Sequence, residues 1–246
     1  MKKFISHLSP LLTFLTLTSF VFSTGCAGPI YKARNNELKT DHADMVTVMD
    51  FSKPISINPI EPGWYHYTFF WHKPMGVDFV TKENVPAIRL NSNNSASIII
   101  RHVDIDLDEY PFLSWNWFIE QPITSTKNEK FWWGDDHPAR LVIFFQTDSG
   151  KKRSMEIIWG NRLKGGDYKY TSLSHHYVAR GGTDDLNRWI HEEVNLLQIY
   201  HNIWPGPKPA KVMAIGIFTD SDNTNGKTTC YFGTVSMKKQ KPAKQL

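Results

Sequence analysis

The feature that most constrains the fold of this chain is a series of short apolar runs separated by clusters of turn-forming residues. Breakers such as Glu61-Pro62-Gly63 and Asp148-Ser149-Gly150 interrupt the runs at short intervals from residue 48 onward. Short runs bounded by such breakers are typical of β-strands in an all-β domain. The pattern predicts strands at residues 45–51, 65–71, 77–81, 87–90, 96–103, 112–119, 140–147, 154–159, 177–179, 211–219 and 228–237.

Two of these runs, residues 141–145 and 212–218, are apolar on both faces, which is expected of central strands covered on both sides. Helical spacing of apolar residues occurs over residues 189–203, and Trp204-Pro205-Gly206-Pro207 would end that helix. Many short strands with one helix favour a mainly β fold, a two-sheet jelly-roll-type β-sandwich with one short crossover helix.

The N-terminus carries the pattern of an export signal. Lys2 and Lys3 precede an apolar stretch at residues 11–22, and Ser23-Thr24-Gly25-Cys26 follows. This is a basic region, an apolar region and a small-residue cleavage site. An apolar stretch of this length is too short to cross a bilayer.

The ending at Cys26 resembles the lipobox of bacterial lipoproteins, in which the cysteine becomes the lipidated first residue. The resemblance implies an anchor in the cell envelope facing the periplasm, with the outer membrane favoured because Ala27, and not Asp, follows the cysteine. Ordinary cleavage after Gly25 or Ala27 is the alternative. We predict a signal peptide at 1–25, a tether at 26–47, the sandwich at 48–237 and a disordered basic tail at 238–246.

The charge distribution excludes a nucleic-acid-binding protein, and the cysteine content excludes a disulfide-stabilised one if Cys26 is acylated. The formal net charge of +4 comes from the two ends of the chain, and residues 26–237 carry about −2. A domain without a basic surface lacks the electrostatic footprint of a nucleic-acid-binding protein. If Cys26 is acylated, Cys230 stands alone and no disulfide can form; we interpret it as a small buried hydrophobe.

Tryptophan is the first candidate for ligand contact. Trp132 and Trp133 are expected in a loop beside a glycine, and Trp159 ends a predicted strand. An indole offers a flat apolar face and a polar edge, which suits a sugar ring that stacks through its C–H face. Trp115 and Trp117 alternate on one predicted strand and share a face, where they either fill the core or stack on a ligand.

The second candidate is the polar run Asp135-Asp136-His137-Pro138-Ala139-Arg140. Either Asp136 and Arg140 grip ligand hydroxyls, or a carboxylate and the guanidinium form a salt bridge that fixes the turn before the strand. Adjacent carboxylates are a poor glycosidase pair, because the catalytic groups must flank the scissile bond. An enzyme would need a partner such as Glu156, Glu192 or Glu193, so we assign no catalytic residue.

The third candidate is the segment at residues 219–226, in which Asp220 and Asp222 supply carboxylates. It lacks the glycine and distant glutamate of an EF-hand loop. A polar hairpin turn, a cation site and a pair of ligand-binding carboxylates are the alternatives, and we predict neither a resident metal nor a cofactor. His175 and His176 are adjacent and have no cysteine nearby, which does not suggest zinc.

Four motifs occur in an order that resembles one bacterial family, domain of unknown function 3047. They are Leu113-Ser114-Trp115-Asn116-Trp117, the run from Asp135 to Arg140, Ile158-Trp159-Gly160 and the segment from Ile215 to Thr224. The match covers roughly residues 48–237. Val194, Ile199 and Thr234 stand where the family has charged residues. The resemblance implies an exported β-sandwich similar to galactose-binding-like domains, and it implies no activity.

These observations predict an envelope lipoprotein whose sandwich binds a ligand, most plausibly a glycan, without turning it over. Two alternatives stay open: an enzyme acting on envelope polysaccharide, and a structural or assembly factor. Membrane association through the lipid is expected, and nucleic acid is not expected as a partner. The predicted ligand contacts are Trp132, Trp133, Asp136, Arg140, Trp159, Asp220 and Asp222.

Overall fold

The structure is a computed structural model that describes residues 37–171, 174–206 and 209–239. The predictions of a signal peptide and of acylation at Cys26 lie outside the described residues, as does most of the predicted tail. Among the described residues, no helix combines the length and the apolar character needed to cross a membrane.

Fourteen strands in two sheets account for most of the described chain. The larger sheet has eight strands: β1 (Leu38–Lys39), β3 (Trp64–Thr68), β6 (Ser97–Ile105), β8 (Arg140–Thr147), β9 (Lys152–Gly160), β10 (Tyr168–Tyr170), β11 (His175–Gly181) and β13 (Pro209–Phe218). The smaller sheet has six: β2 (Met45–Met49), β4 (Gly76–Lys82), β5 (Val85–Asn93), β7 (Phe112–Gln121), β12 (Ile190–Asn195) and β14 (Lys227–Lys238). The two-sheet β-sandwich is therefore confirmed.

The strands that are apolar on both faces lie inside the larger sheet, as their composition predicts. Its order is β1-β6-β13-β8-β9-β11-β10, with β3 paired to β6 at one side. Strand β13 is antiparallel to both β6 and β8, and β11 runs parallel to β9. The order of the smaller sheet is β12-β7-β14-β5-β4, with β2 also paired to β14.

The core lies between the sheets and contains the tryptophans of the central strands. Trp115 and Trp117 of β7 point inward from the smaller sheet, and Trp159 of β9 belongs to the same hydrophobic cluster. The Trp117 ring contacts Trp115 and Trp159 edge-on, with centroids 5.2 and 5.4 Å apart. For Trp115 and Trp117, core packing is therefore the correct one of the two interpretations.

The helix is shorter than the sequence spacing predicts. The only described α-helix, α1, covers Leu196–Ile203, and the first half of the predicted segment forms β12 instead. Residues 190–195 pair antiparallel with β7, so cross-strand hydrogen bonds replace those of a helix. The Asn195 side chain then accepts a hydrogen bond from the Gln198 N–H at 2.9 Å and caps the helix. Because β12 and β13 belong to different sheets, α1 is the predicted crossover.

The sandwich also begins earlier than predicted. Strand β1 lies inside the predicted tether of residues 26–47, and it pairs parallel to β6 through Leu38 and Val103. Strand β2 starts at Met45, where the apolar pattern predicts a strand although the predicted domain boundary lies at residue 48. A two-residue strand carries too little hydrophobic pattern to be recognised in a polar segment.

Candidate functional site

Three consecutive aromatic residues project from one end of the sandwich. Phe131, Trp132 and Trp133 are 47%, 59% and 42% exposed, and Trp132 begins a 3₁₀ turn, Trp132–Gly134. The rings of Phe131 and Trp133 stack in parallel with centroids 4.6 Å apart, and Trp132 meets Trp133 edge-on at 5.8 Å. We call these three residues the aromatic platform. Clustered exposed aromatics are unusual on a soluble surface and indicate a place where something binds.

The backbone of this turn requires glycine at position 134. A Cβ atom at Gly134 would lie 2.6 Å from the carbonyl oxygen of Asn128, which is closer than atoms can approach. The Gly134 N–H donates to the Phe131 carbonyl at 3.0 Å, and the Phe131 N–H donates to the Asn128 carbonyl at 3.1 Å. The chain therefore turns tightly beneath the platform and holds the aromatic side chains outward.

Buried polar contacts fix both ends of the platform segment. The Glu129 carboxylate accepts hydrogen bonds from the backbone N–H groups of Asn161, Arg162 and Leu163, each at 2.7 Å. The Lys169 ammonium donates to the Glu129 carbonyl at 2.7 Å and to the Asp135 carboxylate. Since Glu129 precedes the platform and Asp135 follows it, these contacts restrain it against β10 and the β9–β10 loop.

Lys169 also sets the state of a neighbouring histidine. Its Nζ lies 2.7 Å from Nε2 of His137, and an ammonium can only donate, so this nitrogen accepts and the His137 proton lies on Nδ1. Burial, with the positive charge of Lys169 beside it, holds the pKa of His137 well below its usual value. His137 is therefore a neutral part of the scaffold near neutral pH.

Arg140 is the centre of a buried ionic cluster beneath the platform. Its guanidinium donates to Glu156 at 2.7 Å, to the Asp220 carboxylate at 2.6 Å and to the Asp135 carbonyl at 2.7 Å. It also lies 3.0 Å from Nε2 of His176, which must accept this bond. Its four partners lie on β9, β11, the end of the platform segment and the β13–β14 turn, so Arg140 joins these four segments to the start of β8.

The electrostatics of the cluster favour the charged forms of its central pair. Burial acts to raise the pKa of Glu156, but the positive charge of Arg140 outweighs it, and the pKa is held at about 2. Burial likewise acts to lower the pKa of Arg140, but Asp220, Glu156 and Asp135 hold it well above its usual value. Breaking such a pair on one side leaves an uncompensated buried charge.

Three carboxylates meet where the platform segment touches the β13–β14 turn. Asp136, Asp220 and Asp222 each offer an oxygen within 4.8 Å of the others, a spacing that a cation could bridge. Asp136 accepts from the backbone N–H groups of Asn223 and Thr224 at 3.1 and 2.6 Å, and Asp220 bonds to Arg140. Much of the negative charge is therefore compensated within the protein.

Asp222 is the most exposed member of this trio. Burial and the neighbouring Asp136 raise its pKa, while His72 opposes the shift. Nδ1 of His72 lies 3.6 Å from the Asp222 carboxylate, whose side chain is 13% exposed. Of the three carboxylates, Asp222 is therefore the one that reaches solvent, and His72 lies beside it.

The predicted ligand contacts therefore separate into two groups. Trp132 and Trp133 are exposed and Asp222 is partly exposed, so their predicted role remains open to a ligand. Asp136 and Arg140 are buried, and their polar atoms are bonded inside the protein. Asp220 is also buried and bonds to Arg140. The prediction that Asp136 and Arg140 grip ligand hydroxyls is wrong, and the salt bridge that fixes the turn is the correct alternative.

Trp159 is a second correction. It is 1% exposed, and its indole N–H donates to the Gly182 carbonyl at 3.0 Å. The prediction that it stacks on a ligand is wrong, because an inward position on β9 places both faces of its ring in the core. Its location at the end of a strand did not distinguish an inward side chain from an outward one.

Several residues of this region were missed by sequence reasoning. Phe70 and Trp71 are 86% and 85% exposed, whereas the sequence pattern placed them at the end of a strand. Strand β3 ends at Thr68, and consecutive aromatics that cannot share one strand face were an available signal. Glu129 and Lys169 come from distant polar segments, and no local pattern indicates that they meet.

A cleft of about 360 Å³, lined in part by Lys169 and His176, lies between β10, β11 and the end of α1. Its lining includes Tyr168, Tyr170, His175 and Asn202, and none of the described residues that line it is a carboxylate. The carboxylates that approach one another, such as Asp135 and Glu156, are instead buried around Arg140. Among the described residues, the open carboxylate pair that a glycosidase needs is not found in this cleft.

The fold and the site together define a class: a two-sheet β-sandwich with an exposed aromatic surface held by a buried ionic scaffold. The chain belongs to the family described as "Protein of unknown function (DUF3047)", which matches residues 62–236. The resemblance seen in the sequence motifs is thereby confirmed. No curated protein matches the chain.

Solved structures that are similar to this chain include carbohydrate-binding modules. A family 30 module has a TM-score of 0.43 at 12% identity, covering 82% of this chain and 91% of the module. The family 30 module of the cellulosomal cellulase Cel9D-Cel44B of Clostridium thermocellum has a TM-score of 0.42 at 12% identity, covering 80% and 99%. A mutant family 29 module complexed with cellulohexaose has a TM-score of 0.36 at 6% identity, covering 78% and 89%.

Proposed function

We propose that this protein is a lipid-anchored envelope protein whose β-sandwich binds a glycan without turning it over. The observation that carries the proposal is the aromatic platform. Two tryptophans and a phenylalanine stay about half exposed although their loop is fixed by buried hydrogen bonds on both sides. Water contact with this much aromatic surface is unfavourable, so a ligand that covers it gains free energy.

The platform suits a sugar because its rings are flat, rigid and held in place. The C–H face of a pyranose can stack on an indole while its hydroxyls remain free to form hydrogen bonds. Each indole also supplies an N–H donor at its edge. Because the turn is restrained before binding, little conformational entropy is lost when the ligand docks.

Binding without turnover follows from the state of the nearby acids. Glu156 and Asp135 are buried against Arg140, and the aromatic platform lies outside that cluster. A group held in a buried ion pair is not placed to transfer a proton to a sugar at the surface. Glu156 and Asp135 therefore serve to hold the platform.

The binding test uses the full-length protein against glycan arrays, followed by calorimetry with fragments of peptidoglycan and lipopolysaccharide. We expect binding that a double change, Trp132→Ala with Trp133→Ala, weakens at least about tenfold, which is about 1.4 kcal/mol. Tyr170→Ala is the matched control, because Tyr170 is an equally exposed aromatic on β10 outside the platform. Silence across both glycan sets, or unchanged binding by the double variant, would contradict the proposal.

The envelope location rests on the signal pattern that ends at Cys26, and it needs its own test. Cells grown with labelled palmitate should incorporate the label into the wild-type protein and into a Cys230→Ala variant. A Cys26→Ala variant should carry no label and should leave the membrane fraction. Label retained in the Cys26→Ala variant, or none in the wild type, would refute the lipid anchor while leaving the glycan proposal untouched.

A further inference from the structure

A second pair of exposed aromatic residues lies at the tip of the β3–β4 loop. Phe70 and Trp71 are the most exposed of the large hydrophobic residues that the structure describes. Their rings meet edge-on with centroids 4.3 Å apart, and the His72 N–H donates to the Phe69 carbonyl at 3.1 Å, which closes a turn beneath them. We call Phe70 and Trp71 the loop pair.

The residue that follows the loop pair contacts the end of the sandwich that carries the platform. His72, the neighbour of Trp71, approaches the Asp222 carboxylate at 3.6 Å. An Asp222 oxygen lies within 4.8 Å of one from Asp136, and Asp136 follows Gly134 of the 3₁₀ turn by two positions. The loop pair and the aromatic platform are therefore joined through a short chain of polar side chains.

Further bonds restrain the three segments against one another. Lys73 forms a bridge with Ser95, and the Ser221 N–H donates to the Ser95 carbonyl at 3.2 Å. On the other side, the Lys127 ammonium donates to the Asn223 carbonyl, which links the β13–β14 turn to the chain that precedes the platform. The two aromatic groups thus belong to one restrained surface and not to independent loops.

We propose that the loop pair and the aromatic platform are two ends of one binding site for a linear oligosaccharide of several sugar residues. This inference rests on the proposed function and specifies its ligand class. One sugar stacks on the platform and a more distant sugar stacks on the loop pair. Asp222 and His72, which lie between the two, accept and donate hydrogen bonds to the hydroxyls of the intervening residues.

A membrane surface is the other partner that an exposed aromatic loop could suggest, and the neighbouring groups disfavour it. Only two residues at the tip are apolar, and His72 and Lys73 follow at once. Insertion of the tip would also draw the Asp222 carboxylate toward the bilayer, and removing a carboxylate from water is costly. A sugar chain, in contrast, uses aromatic faces and a carboxylate together.

Two contacts on one ligand make affinity depend on chain length. A disaccharide can occupy only one aromatic group, whereas a longer chain gains the second contact without a new loss of translational freedom. The affinity of the wild-type protein should therefore rise at least about tenfold between the shortest and the longest bound oligosaccharides. Trp71→Ala should remove that increase, so that its longest oligosaccharides bind no more tightly than its disaccharides.

The experiment is calorimetry on the full-length protein with peptidoglycan glycan strands, cello-oligosaccharides and chito-oligosaccharides, each from disaccharide to octasaccharide. Wild type, Trp71→Ala, Phe70→Ala, the platform double variant and Tyr170→Ala are compared. Trp71 is so exposed that its removal should not disturb folding, which thermal unfolding of each variant checks. Loss of the length dependence in both Trp71→Ala and the platform double variant, with the dependence kept in Tyr170→Ala, supports the inference.

Three results would overturn it. If Trp71→Ala and Phe70→Ala match the wild type at every length while the platform variant is weakened, the loop pair is not part of the site and the proposed function stands. If no oligosaccharide of any series binds, the proposed function fails as well. Cosedimentation with phosphatidylethanolamine–phosphatidylglycerol vesicles that depends on Trp71, without length-dependent sugar binding, would assign the loop pair to a membrane instead.

Discussion

Six of the nine tryptophans of this protein occupy two contrasting regions. Trp115, Trp117 and Trp159 are at most 1% exposed and bridge the two sheets, whereas Trp71, Trp132 and Trp133 are 42–85% exposed at one end. The residue type is the same, so the backbone decides the role. Strands β7 and β9 turn the first three inward, and tight turns without strand partners hold the other three out.

The comparison teaches that tryptophan content alone does not indicate a binding surface here. The inner three fill volume: the rings of Trp115 and Trp117 lie nearly perpendicular, and Trp117 meets Trp159 from the opposite sheet. The indole nitrogens of Trp115 and Trp117 have no hydrogen-bond partner among the described residues. Their contribution is therefore close packing, and the outer three contribute little to the fold.

The largest expected effect is the loss of an inner ring. Trp117→Ala removes the indole that contacts Trp115, Trp159 and Phe232. We expect the free energy of unfolding to fall by about 3–5 kcal/mol, because a cavity replaces the side chain between the sheets. Denaturation in urea measures the change. A loss below about 1 kcal/mol would contradict the role of the inner tryptophans as core.

The next effect concerns the buried cluster that lies between the two regions. Glu156→Gln removes one of the negative charges that pair with Arg140. We expect the free energy of unfolding to fall by about 1–3 kcal/mol at neutral pH. The pKa of Glu156 is depressed to about 2, so its contribution is present above the pKa of the unfolded state, near 4.5, and is lost as the pH falls toward 2. The stability of the variant should therefore fall less steeply than that of the wild type across this window.

The measurement is urea denaturation at a series of pH values between neutral and acid. Glu83→Gln, the same chemical change at an exposed residue of the β4–β5 turn, is the control. Parallel curves for the wild type and Glu156→Gln in this window would show that the ion pair with Arg140 does not stabilise the native state. The platform would then lack the scaffold that we assign to it.

Much of the fold could be predicted from the sequence, because most strands here bury at least one face. Residues 141–145 of β8 are continuous apolar residues between turn formers, and the structure confirms the strand there. Strand β12 was mistaken for helix because it lies at a sheet edge, where Ile190, Glu192 and Val194 are only half buried. In a segment of only six residues, the spacing of the apolar positions does not separate a helix from a strand.

The site was harder to predict because its geometry depends on contacts across the sheets. Trp132 and Trp133 were predicted as surface residues from their position beside Gly134, and the structure places them there. The order Asp136, Arg140 and Asp220 indicated a polar cluster, but not that Glu156 and His176 would enclose it. A strand-end residue such as Trp159 faces in or out according to register, which pairing sets and local sequence does not.

The smallest effect on stability is expected for the outer tryptophans. Trp132→Ala with Trp133→Ala should lower the free energy of unfolding by less than about 1 kcal/mol each, because these rings keep about half of their solvent contact on folding. Acrylamide quenching of tryptophan fluorescence gives an independent measure. The double variant should lose the readily quenched emission of Trp132 and Trp133, while Trp71 stays readily quenched and the core tryptophans stay shielded. If the quenchable fraction were unchanged, Trp132 and Trp133 would be buried in solution, and the distinction between the two regions would fail together with the platform.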